Sequence, residues 1–451
     1  MFRWTGLVGA FCAFAAAFAG DIIGVSSPGL GPAQIAAFAF GVVLAVAALL
    51  PGERSLYVLL PLLSAAAALT FIELLLQVAD PPRFRTTYQP DSAYLYKPIP
   101  GTTKTFRHWR ANGGGTVTTH FNNSGFRGDD LTAGTNNLSV VVYGDSFIEA
   151  PFSPQDSTFP FQLGVALRTL LGQPVDVINA GVIGYGPDQI AVRMGQELPR
   201  LRPNLVVVSI CAENDFGDLL RDKLFALDSS DEVRRLRPVL SDSLKELFEA
   251  ARSGLVLPRV VRRFLLRRAE AGSVTAPVKA NVPLARRLHA PAEDWLAKNE
   301  GEYQDYTRDH VVRNVFEDIY TADVSLLPHG ESSLLRRRLM AGVLGEIERA
   351  ARANGAAVLV MVIPSANDVL DEFEGGRIDS LAFPDYRRSS LNDAVANAAA
   401  TRGLPVVDLF AHFRAASTRL YWHGDLHWNN EGQLHAARLV AEYIVGNDLL
   451  R

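Results

Sequence analysis

The chain has 451 residues, 48% of them hydrophobic, and a formal net charge of −4. That length exceeds one average domain, and a charge balance so near neutrality leaves no basic footprint for nucleic acid. Its two cysteines, Cys12 and Cys211, each lie in an apolar run, which argues against a disulfide framework.

The first 80 residues hold three apolar segments, near 4–20, 33–50 and 56–79, joined by short connections. A bilayer-spanning helix takes about 20 apolar residues, so three transmembrane helices are expected over 1–80. The first segment has a second reading as a secretory signal, with Ala17-Phe18-Ala19 as its cleavage site. With Arg3 and Arg54 inside, either arrangement leaves the rest of the chain outside the cytoplasm. The expectation is therefore a multi-pass membrane protein with a periplasmic or extracellular domain. Glu73 is the one ionisable residue deep in an expected span, and reads as a partner for a neighbouring polar group or as an interfacial residue.

Residues 81–137 are rich in Pro, Gly, Thr and Asn and read as a linker with short strands. Within them, Asn122-Asn123-Ser124-Gly125-Phe126-Arg127-Gly128 is expected to pack across a sheet edge. Five apolar runs follow, at 138–143, 175–178, 205–210, 357–363 and 405–407, each the length of a buried parallel strand. Helical spacing separates them, as in Phe159, Leu163, Leu167 and Leu170, or Leu334, Leu339, Val343 and Ile347. Alternation of this kind predicts an α/β domain over 138–451: a flavodoxin-like three-layer α/β/α arrangement around a five-stranded parallel sheet. A helix over 431–445 closes it. Between the third and fourth strands, residues 216–329 form a long charged insertion carrying Trp295, Tyr303 and Tyr306. A connection of that length usually has structure or function of its own; a helical cap beside the site and a surface elaboration are the two readings.

The strand ends carry the chemistry. The first run ends in Gly144-Asp145-Ser146, which puts a hydroxyl at the C-terminal edge of the sheet, where open α/β sheets bind ligands. Asn179 to Gly186 follows the second strand, with glycines that let backbone N–H groups face a cleft. Ala212-Glu213-Asn214-Asp215 follows the third, and an Asn amide can donate to a developing oxyanion. Asp425-Leu426-His427, before the last helix, supplies a base and a group to orient it.

These four blocks, spread over about residues 120–445, resemble the SGNH (GDSL-type) hydrolase superfamily. The resemblance implies Ser146 as nucleophile, His427 as base and Asp425 as its acid partner. It also implies an oxyanion hole from the Ser146 and Gly184 backbone N–H groups and the Asn214 amide. Two positions depart from the family pattern. Ala212 stands where the third block usually has Gly, and Asp-x-His replaces the commoner Asp-x-x-His. The Asp-x-His form resembles the branch related to polysaccharide O-acetylation proteins.

Rival residues exist. His423 could be the base and Asp408 the acid, although an Asp in the latter position more often caps a turn. Asp145 should brace the nucleophile loop, Glu213 should face solvent, and Asn367 and Asp368 read as a turn or, as the alternative, as cleft-lining residues. His108 and His120 lack paired ligands at useful spacing, so neither a metal nor any other cofactor is expected. The Gly181–Gly186 stretch lacks a dinucleotide-loop spacing. The expected function is that of a membrane-anchored serine esterase acting on O-acyl, chiefly O-acetyl, groups of a carbohydrate or cell-envelope glycan. A lipid esterase or acyltransferase at the membrane surface is an alternative, and so is a non-catalytic glycan-binding or scaffold domain. The expected partners are an acyl-ester substrate and the lipid bilayer, with the oligomeric state left open.

Overall fold

A computed structural model of the chain describes residues 2–18, 32–51, 54–79, 87–108, 110–131, 137–242, 244–245, 248, 257, 291–308, 312–314, 320–371, 378–379 and 381–450. The chain divides into two compact units. One comprises Met1–Thr86 and Glu246–Thr275, and the other Thr87–Lys245 and Ala276–Arg451.

The first unit contains helices Phe2–Phe18, Pro32–Leu49 and Arg54–Ala79. They pack through small residues: a Cβ at Gly6 would meet Leu59 and Ala48, and Ala10, Leu44, Ala47, Ala48 and Leu59 are buried together. The expectation of three membrane spans is corrected here. Among the described residues one helix is long and apolar enough to cross a bilayer, over Tyr57–Leu76, and almost none of it is buried. The apolar stretches of the other two, Gly6–Ala15 and Ala37–Leu49, are shorter. Ten helical residues rise about 15 Å, half of a ~30 Å hydrocarbon core. Glu73 accepts a hydrogen bond from the Leu257 N–H at 2.8 Å.

The second unit is built on a parallel five-stranded sheet. Four short strands precede it: β1 (Tyr88–Asp91) pairs with β2 (Leu95–Pro98), and β3 (Thr103–Arg107) with β4 (Thr116–His120), all antiparallel. The sheet itself contains β5 (Leu138–Gly144), β6 (Val175–Gly181), β7 (Leu205–Cys211), β10 (Ala357–Ile363) and β11 (Val406–Asp408). A small hairpin of β8 (Phe225–Leu227) and β9 (Val233–Arg235) lies between β7 and β10 in sequence. The order is β11-β10-β7-β5-β6. Counted within the sheet this is 2-1-3-4-5, the doubly wound order whose ligand crevice opens between the first and third strands, here β5 and β7.

Alternation along β5 explains the layers. Val140 and Val142 belong to a core shared with Phe159, Leu163 and Leu167 of helix Phe159–Leu171 and with Val440, Ala441 and Ile444 of helix Asn430–Gly446. Val141 and Tyr143, also fully buried, face the other way. Helices Pro187–Leu201, Glu331–Arg352 and Ser390–Ala400 pack with one another as a separate layer. Each expected strand is present, with β6 and β7 running on past the apolar run into the glycine and cysteine that follow.

The 122–128 segment does reach the sheet edge, where Arg127 bridges to Asn179 of β6. Of the 216–329 insertion, the structure describes helices Asp215–Asp222, Ala292–Thr307 and Ala322–Leu326 and the β8–β9 hairpin. Its middle, 249–256 and 258–290, lies outside the described residues, as do 80–86 and 132–136 of the linker.

Candidate active site

Ser146 opens a single-turn helix, Ser146–Glu149, at the end of β5. The chain can turn so sharply because Gly144 has no side chain; a Cβ there would collide with Ile148 and Ser209. Asp145 caps the turn, its carboxylate accepting from the Phe147 N–H at 2.9 Å, the bracing role its position suggested. The Ser146 hydroxyl is thereby half-buried at the crevice.

The loop 420–429 brings the base. Tyr421 and Trp428 form an antiparallel bridge. The Trp422 N–H donates to the His427 carbonyl at 3.0 Å and the Asn429 N–H to that of Leu420 at 2.9 Å. Gly424, with φ +66°, makes the reversal at the tip. Asp425 then folds back on its own loop. One carboxylate oxygen accepts both the His427 backbone N–H at 2.9 Å and the ring Nδ1 at 2.5 Å. A carboxylate only accepts, so Nδ1 carries the proton and Nε2 is left to accept. Nε2 lies 2.7 Å from Ser146 Oγ. Phe147 and Phe152 flank the imidazole, each with its ring centroid 5.0 Å away. Burial acts to raise the Asp425 carboxyl, but the His427 charge and the hydrogen bonds from its ring and backbone outweigh it and hold the carboxyl below its usual range.

The structure thus brings Ser146, His427 and Asp425 into one hydrogen-bonded line. The rivals lie elsewhere. His423 is exposed, and its backbone pairs with the Asn112 side chain at 3.0 and 3.2 Å. Asp408 caps the turn after β11, accepting from Phe410 N–H at 2.9 Å and Asn392 Nδ2 at 2.6 Å. His108 stacks on Trp422 with centroids 4.6 Å apart and contacts the Phe152 carbonyl at 2.7 Å, and His120 is exposed.

The two other expected donors sit on the loops after the strands flanking β5. Gly184, with φ +72°, lies in the turn after β6. Asn214 is the N-cap of helix Asp215–Asp222 after β7, and is buried. Its Nδ2 donates to Asp218 at 2.6 Å, with Asp215 at 3.4 Å. Asp218 is held in turn by Arg221 at 2.5 Å, and Arg221 by Glu302 at 3.2 Å. Burial, then the charge of Asp145, push the Asp215 carboxyl well up.

Sequence reasoning missed several buried polar groups here. Glu213, expected in solvent, is buried and accepts from Ser365 Oγ at 2.7 Å and Asn367 Nδ2 at 3.3 Å. Glu149, fully buried, accepts from the Tyr88 hydroxyl at 2.6 Å and the Ile183 N–H at 2.8 Å. Asp218 had one local signal, its place four residues after Asn214 on a helix face. Glu213 and Glu149 have partners too distant in sequence for any such sign.

A serine, a histidine and a carboxylate thus meet at the crevice of a doubly wound α/β sheet. Residues 319–450 match the family model described as "SGNH hydrolase-like domain, acetyltransferase AlgX". That segment contains Asp425 and His427 but begins long after Ser146. Among solved structures, the chain is similar to TesA, at 12% identity over 69% of this chain and 100% of that one, with a TM-score of 0.32. It is similar to the lipase/acylhydrolase from Enterococcus faecalis at 12% identity over 70% and 97%, with a TM-score of 0.32. It is also similar to a catalytic mutant of the acetylxylan esterase Axe2 from Geobacillus stearothermophilus at 11% identity over 71% and 99%, with a TM-score of 0.33. Likeness at these scores carries no weight for activity. No curated protein matches the chain.

Proposed function

We propose that the chain is a serine-dependent acyl-ester enzyme of the SGNH type that acts on O-acetyl groups of a carbohydrate. The observation that carries this reading is the line Ser146 Oγ–His427 Nε2, 2.7 Å, and His427 Nδ1–Asp425, 2.5 Å. In it, Nε2 takes the serine proton as Oγ bonds to the ester carbonyl carbon. The imidazolium is stabilised by the Asp425 carboxylate. It returns the proton to the leaving alkoxide as the ester C–O bond breaks, leaving an acyl-serine. Water, activated by the same histidine, then releases the acid and restores the hydroxyl. The Ser146 and Gly184 N–H groups and the Asn214 amide supply donors to the oxyanion.

A second reading has a specific support. The matching family model carries the description of an acetyltransferase, and the same acyl-serine can pass its acetyl group to a sugar hydroxyl instead of water. The helix Arg54–Ala79 anchors the chain in a bilayer in either case, with the SGNH domain outside the cytoplasm.

The test is fluorophosphonate labelling of the full chain in detergent, followed by an ester series from acetyl to long-chain acyl. We expect wild type to be labelled at Ser146, Ser146→Ala to be unlabelled but folded, and acetyl to be the preferred acyl group. A folded Ser146→Ala protein with normal turnover sinks the reading. A preference for long chains replaces the carbohydrate ester with a lipid one. A C-terminal reporter active only outside the cytoplasm tests the orientation.

A further inference from the structure

Gly184 sits in a tight turn. The Tyr185 N–H donates to the Val182 carbonyl at 3.1 Å, closing a four-residue turn over 182–185. Gly184 is its third residue, with φ +72°. Those are the features of a type II turn, which differs from type I mainly by a flip of the central peptide. The central peptide here joins Ile183 to Gly184. Because a trans peptide points its C=O and N–H in opposite directions, a flip that turns the Ile183 carbonyl over also reverses the Gly184 N–H.

The carbonyl of this peptide is pinned, and so is the N–H of the peptide before it. The Tyr96 hydroxyl donates to the Ile183 carbonyl at 2.8 Å. The Ile183 N–H donates to Glu149 Oε2 at 2.8 Å. Glu149 is the last residue of the single-turn helix that Ser146 opens, so it couples the turn to the nucleophile's own backbone. Neither pinning group is free to wander. Tyr96 is buried on β2, its ring 5.2 Å from that of Tyr185 and 6.0 Å from that of Tyr88. The Tyr185 hydroxyl donates to the Tyr96 carbonyl, and the Tyr88 hydroxyl to Glu149 Oε2 at 2.6 Å. Burial, above all, keeps the Tyr96 phenol protonated and thus a donor.

We propose that Tyr96 is a positioning residue that holds the Ile183–Gly184 peptide in the orientation presenting the Gly184 N–H to the oxyanion, with Glu149 anchoring the preceding peptide of the same turn. The proposal rests on the reading of Gly184 as an oxyanion donor. It assigns the β1–β2 arm, which lies outside the α/β sheet, a part in the reaction: it selects between two turn states and touches no substrate.

The experiment uses the full chain in detergent, an acetyl ester such as p-nitrophenyl acetate, and the rate of fluorophosphonate labelling. Tyr96→Phe removes one hydroxyl and keeps the ring. We expect kcat and the labelling rate to fall about ten-fold, the effect of one lost hydrogen bond, with KM within about two-fold of wild type. Tyr94→Phe, in the same arm, should change neither. Glu149→Gln, which keeps an acceptor oxygen, should retain more activity than Glu149→Ala. The deciding measurement is a double-mutant cycle with Gly184→Ala. If Tyr96 acts through this peptide, the double variant loses about as much kcat as Gly184→Ala alone. Wild-type kcat in Tyr96→Phe overturns the proposal, and so does a double loss equal to the product of the single losses. An unreactive wild type instead overturns the acyl-enzyme reading on which it rests.

Discussion

The two halves of the candidate site are held in contrasting ways. Ser146, His427 and Asp425 are partly exposed and joined by direct side-chain hydrogen bonds, with the acid two residues from the base on a single loop. The donor half, Gly184 and Asn214, depends on buried groups from distant parts of the chain. Tyr96 and Glu149 fix the Gly184 turn, and Asp218, backed by Arg221 and Glu302, fixes the Asn214 amide. On the proposed reading the relay is local and partly exposed, while the donors lean on buried charged groups. That division suits a reaction whose proton moves while its oxyanion site must stand ready, since preorganised donors need no reorganisation at the transition state.

The relay should break most completely. His427→Ala is expected to cost about as much as Ser146→Ala, on the order of 10⁴–10⁶ in kcat, because the members act as a unit. Asp425→Asn should cost less, roughly 10³–10⁴, by favouring the wrong imidazole tautomer. His423→Ala and Asp408→Asn serve as comparators and should leave kcat/KM near wild type. Kinetics of the five variants on one acetyl ester decide it. An inactive His423→Ala beside an active His427→Ala would sink the assignment of the base.

The donor half should fail in a graded way. Asn214→Ala is expected to lower kcat roughly 10²–10³-fold with KM little changed. Asp218→Asn should have a smaller effect on rate and a larger one on stability, about 2–3 kcal/mol, because it takes away a buried partner of Arg221. Denaturant unfolding set beside kcat separates the two. Equal rate losses with no stability change in Asp218→Asn would mean that Asp218 itself meets the substrate.

This contrast also explains what could be read in the sequence. The β5 strand and Ser146 were legible because an apolar run ending in Gly-Asp-Ser is a local pattern. Asp425 and His427 were legible because they lie two positions apart. The five-stranded parallel sheet followed from alternation of strand and helix periods. Glu213 was misjudged because its partner Ser365 comes 152 residues later, and no local pattern marks a carboxylate buried by a remote hydroxyl. Tyr96 lies 87 residues from Ile183 and was invisible for the same reason. At the N-terminus, composition alone did not separate a span from a short packed helix. Gly6 and the alanines around Leu44 make an apolar stretch equally suited to helix–helix contact.

The smallest expected effect on rate tests whether every buried carboxylate on the donor side serves catalysis. Asp188, the second residue of helix Pro187–Leu201, follows the Gly184 turn and is fully buried. It accepts from the Gln189 N–H at 2.8 Å and the Leu224 N–H at 3.2 Å. Burial is the main cause that pushes its carboxyl up to about 7, against the lowering effect of those two bonds. An unfolded Asp titrates near 3.9, so between about pH 4 and 7 the folded state holds a proton that the unfolded state has lost. Its stabilising contribution is therefore complete below about pH 4 and fades as pH rises through 7. Asp188→Asn mimics the protonated acid and does not titrate. It should flatten the fall in stability between pH 4 and 7 by roughly 1–3 kcal/mol across that window, with kcat at neutral pH essentially unchanged. Thermal midpoints of both proteins across the pH range measure the difference. Parallel curves would show that Asp188 stays ionised in the fold, and a loss of kcat without a change in slope would place it with Asp218, among the groups that hold the donors.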